Sequence, residues 1–374
     1  MAAPLSRRAV MAGALALAAP VRMARAQDRP HTLLFGGDVA HGEMFANRAT
    51  ARMGYDEPFA GLRPLLDRAD WTVVNLETPL TARRDSPFSG RKQFIHYSDP
   101  ERAPAAFAAL GIDAVSLANN HMLDQGAAGL ADTIAALERH GIAWGGAGPD
   151  AEAAAAPLIR RFEGRDGTAR EVAVFASFQE GAWYEAAGFY AGAATPGTAR
   201  LDVGDFARRC AALKAARPGI IVIAFPHWGA NYAWASALQK RLGRGLVEAG
   251  ADLVIGHGAH HLQEVERWQG RWIFYGIGNF MFASGGRFAQ FPGVFPVSLA
   301  LELVLPTGGF AAGEVRAWPL QSDNLATGFR TRLATSAEAG RALVRMTGSE
   351  SLAADGITPH MQDRAAPFLS FALG

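Results

Sequence analysis

Gly250-Ala-Asp-Leu-Val-Ile-Gly-His-Gly-Ala-His-His261 is an apolar run that breaks into glycines and histidines. The continuous run over 252–255, stopped by Gly256, has the pattern of a central parallel strand buried on both faces. Open α/β sheets gather their chemistry beyond the carboxyl ends of such strands. This one ends at His257, His260 and His261. A glycine-loosened loop lets His257 and His260 turn imidazole nitrogens toward one point. The segment therefore reads as α/β with a site at the strand ends.

Outward from this segment the same event repeats. On the N-terminal side, 237–249 has a helical pattern, and the strand-like run 220–225 ends at Pro226-His227-Trp228-Gly229. Further back, the strand over 111–118 runs into Asn119-Asn120-His121-Met-Leu-Asp124, followed by a helix over 127–140 and a brief strand over 142–146. The strand 71–77 ends in Asn75-Leu76-Glu77, where an extended backbone places Asn75 and Glu77 on one face. The strand 32–35 leads into Gly36-Gly37-Asp38, and Asp38 reads either as a cation ligand or as the cap of a following helix. Such βαβ units cross over right-handed and build a parallel sheet.

Elsewhere the pattern carries less chemistry. Residues 82–98 form a basic, aromatic-dotted loop, read as solvated surface or as an entrance for an anionic substrate. Segments 158–162 and 171–177 read as a hairpin, and 181–196 as a long loop over the site. Runs 297–305 and 313–320 alternate as antiparallel strands. The tail from Ser336 reads as a helix with a poorly patterned end and no identifiable chemistry.

A carboxylate at the end of a buried strand is costly unless paired or bound to metal. Asp38, Glu77, Asn120, His227, His257 and His260 therefore read as ligands, at one edge of one sheet. Mixed carboxylate, amide and imidazole donors without thiolates suit one or two divalent ions of Zn, Mn or Fe. A pair of such ions supports hydrolytic or transfer chemistry. His121 is then the acid for a leaving group, with Asp124 orienting it.

The 374 residues carry a formal net charge of +1, so nothing in the balance calls for nucleic acid. The single cysteine, Cys210, excludes an intramolecular disulfide and any multi-cysteine metal site. Arg7-Arg8 precede an Ala/Leu run that ends at Pro20 and is followed by Ala24-Arg25-Ala26. Residues 1–26 thus read as a cleavable signal of the twin-arginine type, too short to span a bilayer, and the protein as periplasmic or secreted. Residues 27–335 read as the main domain and 336–374 as a helical tail.

The blocks GGDVAHG, NLETPLT, SLANNHMLDQG, PHWGANY, GADLVIGHGAHHLQ and YGIGNFMF, in this order over about residues 31–285, resemble the CapA family of poly-γ-glutamate capsule biosynthesis proteins. The resemblance implies a four-layer αββα sandwich like that of the calcineurin-like metallophosphatases, with a dinuclear metal site. It also implies a role in making, trimming or exporting an anionic γ-linked glutamate polymer outside the cytoplasm, with membrane synthase or export proteins as partners. The chain departs from the metallophosphatase pattern at Ala40, where a histidine is usual and the nearest one is His41. Asn75-Leu76-Glu77 stands where Gly-Asp is usual, so the resemblance makes Glu77 the bridging carboxylate. Asn231 replaces a glutamate, and Gly258-Ala259-His260 replaces His-Pro-His, with His257 as the compensating ligand. Three functions follow: a metal-dependent hydrolase or transferase of the polymer, a non-catalytic polymer-binding or assembly protein, and a periplasmic metallophosphoesterase.

Overall fold

In the computed structural model, which describes residues 30–41, 53–163, 169–306, 309–361 and 366–374, the run before Gly256 is a strand, Leu253–Ile255, buried throughout. In chain order the strands are β1 His31–Ala40, β2 Trp71–Leu76, β3 Ala114–Ser116, β4 Ala143–Gly145, β5 Ala147–Gly148, β6 Leu158–Glu163, β7 Ala169–Phe178, β8 Gly197–Thr198 and β9 Ile221–His227. Then follow β10 Leu253–Ile255, β11 Val265–Trp268, β12 Arg271–Phe274, β13 Asn279–Phe282, β14 Val297–Leu305, β15 Glu314–Gln321, β16 Arg332–Leu333, β17 Ile357–His360 and β18 Phe368–Ala372. The longer helices are α1 Arg102–Leu110, α2 Gly126–Arg139, α3 Val203–Ala216, α4 Ala237–Glu248 and α5 Ser336–Thr347.

Two large sheets hold most of these strands, and β5 and β8 pair as a separate small one. The larger runs β17-β18-β15-β14-β1-β2-β3-β4, with β13 also beside β1, and the smaller runs β11-β12-β10-β9-β7-β6. Side chains alternate across each strand, and both faces are buried, so odd and even positions feed different cores. Leu33, Phe35 and Val73 of the larger sheet meet Val174, Ile223, Phe225 and Ile255 of the smaller one in the central core. On the outside of the larger sheet, Leu34, Val74 and Leu76 pack with Phe107 of α1 and Leu130 and Leu137 of α2. On the outside of the smaller one, Val222, Ala224 and Val254 pack with Phe206 of α3 and Leu246 and Val247 of α4. The architecture is the four-layer αββα sandwich of the α/β class.

The strand ends that carry the polar residues therefore belong to two sheets, not one. β1, β2 and β3 deliver Asp38, Glu77 and the Asn119–Asp124 segment from the larger sheet, and β9 and β10 deliver His227 and the His257 loop from the smaller one. A buried apolar run reports that a strand is covered on both faces, and it is silent on which sheet covers it.

β1 continues to Ala40 rather than stopping at Phe35, so Asp38 lies within a strand and caps no helix there. The strand changes neighbour midway, pairing antiparallel with β14 up to Gly36 and parallel with β13 from Asp38. Gly37 makes that switch sterically feasible, because a Cβ there would lie 1.8 Å from the Gly278 carbonyl oxygen. The Asp38 N–H then donates to the same carbonyl at 3.0 Å.

Other expectations are refined. The segment read as a loop over 181–196 contains a helical turn, Ala182–Ala186. The poorly patterned C-terminal end forms β17 and β18, and β18 pairs with β15 while Leu369 and Phe371 enter the central core. Strands this short owe their pairing to the edge they extend, which their own sequence does not display. The signal assigned to 1–26 lies outside the described residues. Among the described residues no helix is long and apolar enough to cross a membrane.

Candidate metal centre

Asp38 sits at the middle of the polar cluster and is fully buried. Its Oδ1 accepts from Asn75 Nδ2 at 2.9 Å and its Oδ2 from the Gly258 N–H at 3.1 Å. Gly258 has φ +103°, and a Cβ there would press on the His227 ring at 3.0 Å. Glycine is thus what brings the loop backbone against both residues. His257 Nδ1 lies 3.2 Å from Asp38 Oδ1 and 3.2 Å from His227 Nδ1, while His227 Nδ1 is 3.8 Å from Asp38 Oδ1. Ligands about 2.1 Å from a tetrahedral ion lie about 3.4 Å from one another. Asp38, His227 and His257 have the spacing of a ligand set.

Glu77 follows β2 and is also fully buried, yet neither carboxylate oxygen has a hydrogen-bond partner among the described residues. The Nε2 atoms of His121, His227 and His260 each lie 3.9 Å from its Oε1. A buried, unpaired carboxylate is among the costliest groups a fold can hold. Three imidazole nitrogens at one standoff from it fit a cation better than they fit one another. Asp38, Glu77 and His260 form a second group whose ligand atoms all lie within 4.8 Å of one another. The carboxylate common to both groups is Asp38, not Glu77.

Electrostatics set the two carboxylates apart. Burial and the nearby Asp38 charge push Glu77 well above the usual carboxylate range. Burial also opposes charge on Asp38, but hydrogen bonds and charges from His257 and His260 outweigh it and hold Asp38 well below that range. Two carboxylates in one site split in this way because both cannot ionise cheaply. Burial pushes His227 down to about 3. At His260 burial works the same way, but Glu77, Asp38 and Asn279 overcome it and hold the ring at about 9. His260 Nδ1 is 2.9 Å from Asn279 Oδ1, which fixes the ring and turns Nε2 to the centre. His260 and its ring neighbour Tyr232 both have left-handed backbones, φ +64° and +57°, a strain that concentrates at functional sites.

His121 and Asp124 form a dyad beside this centre, with Nδ1 2.7 Å from Asp124 Oδ2 and Nε2 facing Glu77. Asp124 also accepts from the His96 N–H at 2.5 Å and pairs with the Lys92 ammonium, which donates to the Asn120 carbonyl at 2.5 Å as well. Asn120 itself has a side-chain oxygen without a partner among the described residues, while its amide meets the Tyr184 hydroxyl. Its neighbour Asn119 does the wiring, donating to Asn75 Oδ1 at 3.0 Å and accepting from the His121 N–H at 3.0 Å.

All eight residues read from the sequence as chemical thus lie in or beside one cluster. Asn75, Asn119, Asn279, Lys92 and His96 join them without having been read as site residues. Amides at strand ends were visible for the first three; nothing in a basic loop marked Lys92 as buried. Its neighbours are tied down structurally, Arg83 to Asp132 and Arg91 to the Pro87 carbonyl. His41 does not replace the histidine missing at Ala40. It points to the outer face, bonding the Tyr55 carbonyl at 2.8 Å among Phe59 and Phe107. Asn231 is exposed.

Residues 32–284 match the family model described as bacterial capsule synthesis protein PGA_cap. A probable polyglutamine synthesis accessory protein of Mycobacterium tuberculosis is 37% identical over 219 residues, covering 56% of this chain and 55% of that protein. The capsule biosynthesis protein CapA of Bacillus anthracis is 29% identical over 258 residues, covering 68% of this chain and 60% of that protein. The PGA biosynthesis protein CapA of Bacillus subtilis is 27% identical over 252 residues, covering 67% and 63%. The chain therefore spans 55–63% of the length of these relatives. Among solved structures, the calcineurin-like phosphoesterase YfkN of Bacillus subtilis aligns over 82% of this chain and 88% of that one, at 15% identity and a TM-score of 0.41.

Proposed function

The chain belongs to the bacterial capsule synthesis protein family PGA_cap, and from that premise we propose that it is a metal-dependent hydrolase or transferase acting on poly-γ-glutamate. The observation that carries this reading is Glu77, buried with both oxygens unsatisfied among the described residues while three imidazole Nε2 atoms stand 3.9 Å away. Asp38, Glu77, His227, His257 and His260 would hold one or two divalent ions, Mn, Zn or Fe, with Asn120 as a neutral oxygen donor. Such ions supply Lewis acidity toward a carbonyl oxygen and a nucleophile at neutral pH.

The chain's own residues do the rest. Asn75 and the Gly258 N–H hold the Asp38 carboxylate in place, so it does not turn away when the site changes charge. Asp124 takes the His121 Nδ1 proton as a hydrogen bond, which leaves Nε2 free to carry a proton to a departing amine. Lys92 keeps Asp124 ionised for that task. The Arg7-Arg8 signal supports action outside the cytoplasm, beside membrane proteins that make or export the polymer.

The test is metal content per chain and release of new amino termini from γ-linked glutamate polymer, in the wild type, Asp38→Ala and His227→Ala. About two equivalents of metal, lost in both variants together with turnover, is the expected result. An intact fold that takes up no transition metal would sink the catalytic reading. One observation favours a second reading: Ala40 offers no ligand and His41 faces outward, so the ligand set is thinner than the metallophosphatase pattern. Metal uptake with tight polymer binding but no turnover would identify a polymer-binding assembly protein.

A further inference from the structure

One cation near the centre is left without a carboxylate. Arg287 is half-buried, and its guanidinium carbon lies 5.2 Å from the centre of the Phe94 ring, 5.7 Å from Tyr232 and 5.9 Å from Phe291. No acidic side chain pairs with it among the described residues, and its buried Nε has no hydrogen-bond partner. Tyr232 is also the ring that packs on His260, 5.7 Å between centroids. The guanidinium therefore stands one aromatic ring away from the metal centre.

The aromatic residues explain the placement. Aromatic faces hold a planar guanidinium by cation–π attraction while leaving its N–H edge free. Tyr232 is itself fixed, stacked on Phe291 at 4.5 Å and bonded through its N–H to the Ala259 carbonyl at 2.8 Å. A carboxylate meeting the guanidinium would accept two parallel N–H bonds. Lys92, also beside the centre, is already bound to Asp124 and the Asn120 carbonyl.

We propose that Arg287 is the substrate-recognition residue of this centre, receiving a side carboxylate of a γ-linked glutamate chain while a neighbouring amide of that chain faces Asp38 and Glu77. The assignment rests on the polymer reading above and adds to it the residue that selects an anionic chain. Because Arg287 is separated from His260 by Tyr232, it serves binding and positioning rather than bond cleavage.

The experiment is calorimetric titration of the Mn-loaded protein with a short γ-linked glutamate oligomer, with the same oligomer amidated at its side carboxylates, and with inorganic phosphate. Wild type, Arg287→Gln and Arg287→Lys are compared, with metal content and melting temperature measured on each. The expected result is that Arg287→Gln keeps its metal and weakens oligomer binding roughly ten- to a hundredfold. Arg287→Lys should recover part of that loss, and the amidated oligomer should bind wild type and Arg287→Gln alike. Equal oligomer affinity in wild type and Arg287→Gln would overturn this proposal and leave the polymer reading standing. Wild type that ignores the oligomer but binds phosphate through Arg287 would overturn the carboxylate assignment and the polymer reading together.

Discussion

Two buried polar clusters lie side by side in this protein, and they are satisfied in opposite ways. Around Glu77, carboxylate and imidazole groups converge with no lysine or arginine in either ligand group, His260 being the imidazole held protonated, and Glu77 has no hydrogen-bond partner among the described residues. Around Asp124, the carboxylate is bound by Lys92, by His121 Nδ1 and by the His96 N–H. The second cluster carries its own lysine; the first has the ligand spacing of a candidate metal site. The clusters share His121, whose Nδ1 belongs to Asp124 and whose Nε2 faces Glu77. His121 thus stands between the Lys92-bound carboxylate and the candidate metal site.

The largest effect that would break this contrast is expected at Lys92. Burial pushes its ammonium down and the Asp124 carboxylate up, and each offsets part of that cost for the other. Lys92→Met should leave the buried Asp124 carboxylate without its cation and lower the unfolding free energy by about 3 to 5 kcal/mol. Saturating Mn²⁺ should stabilise wild type and variant by equal increments in urea melts. Full rescue of the variant by metal would show that the two clusters are one.

His41 provides a buried imidazole outside both clusters, and so measures what burial alone does. Burial lowers it from 6.5 to about 4, with the Tyr55 carbonyl bond opposing in part. Its folded value lies below its unfolded one, so its contribution is fully present above pH 6.5 and is lost as pH falls from 6.5 through about 4. Wild type should therefore lose up to roughly 3 kcal/mol more than His41→Gln over that window. Parallel stability profiles of the two proteins in urea titrations at each pH would remove His41 as a control for the site histidines.

The smallest effect sharpens the account of Asp38. Asn75→Ala removes the amide that orients its Oδ1 without removing a ligand. Metal affinity, read by competition with a chelating dye, should fall roughly ten- to a hundredfold while stoichiometry stays the same. A variant that loses the metal altogether would make Asn75 a ligand in its own right.

Much of this was open to sequence reading. Leu253–Ile255 and Ile221–His227 showed as strands because a strand covered on both faces must be apolar at every position. His227, His257 and His260 stood out because imidazoles follow those strands directly. Lys92 did not, since a lysine in a basic loop has the same sequence signature whether it meets water or Asp124. The edge strands Ile357–His360 and Phe368–Ala372 were missed for a similar reason, as their pairing depends on the free edge of β15.

The sequence by itself determined the α/β class and the polar side chains that stand at the strand ends, because burial periodicity and residue chemistry are local properties. Only the tertiary structure decided that these ends come from two facing sheets, that Asp38 rather than Glu77 is shared by both ligand groups, and that Arg287 stands beside the centre. Each of those facts depends on which strands pair and which loops meet. Pairing and meeting are distances between residues far apart in the chain, and hydrophobic pattern carries no information about them.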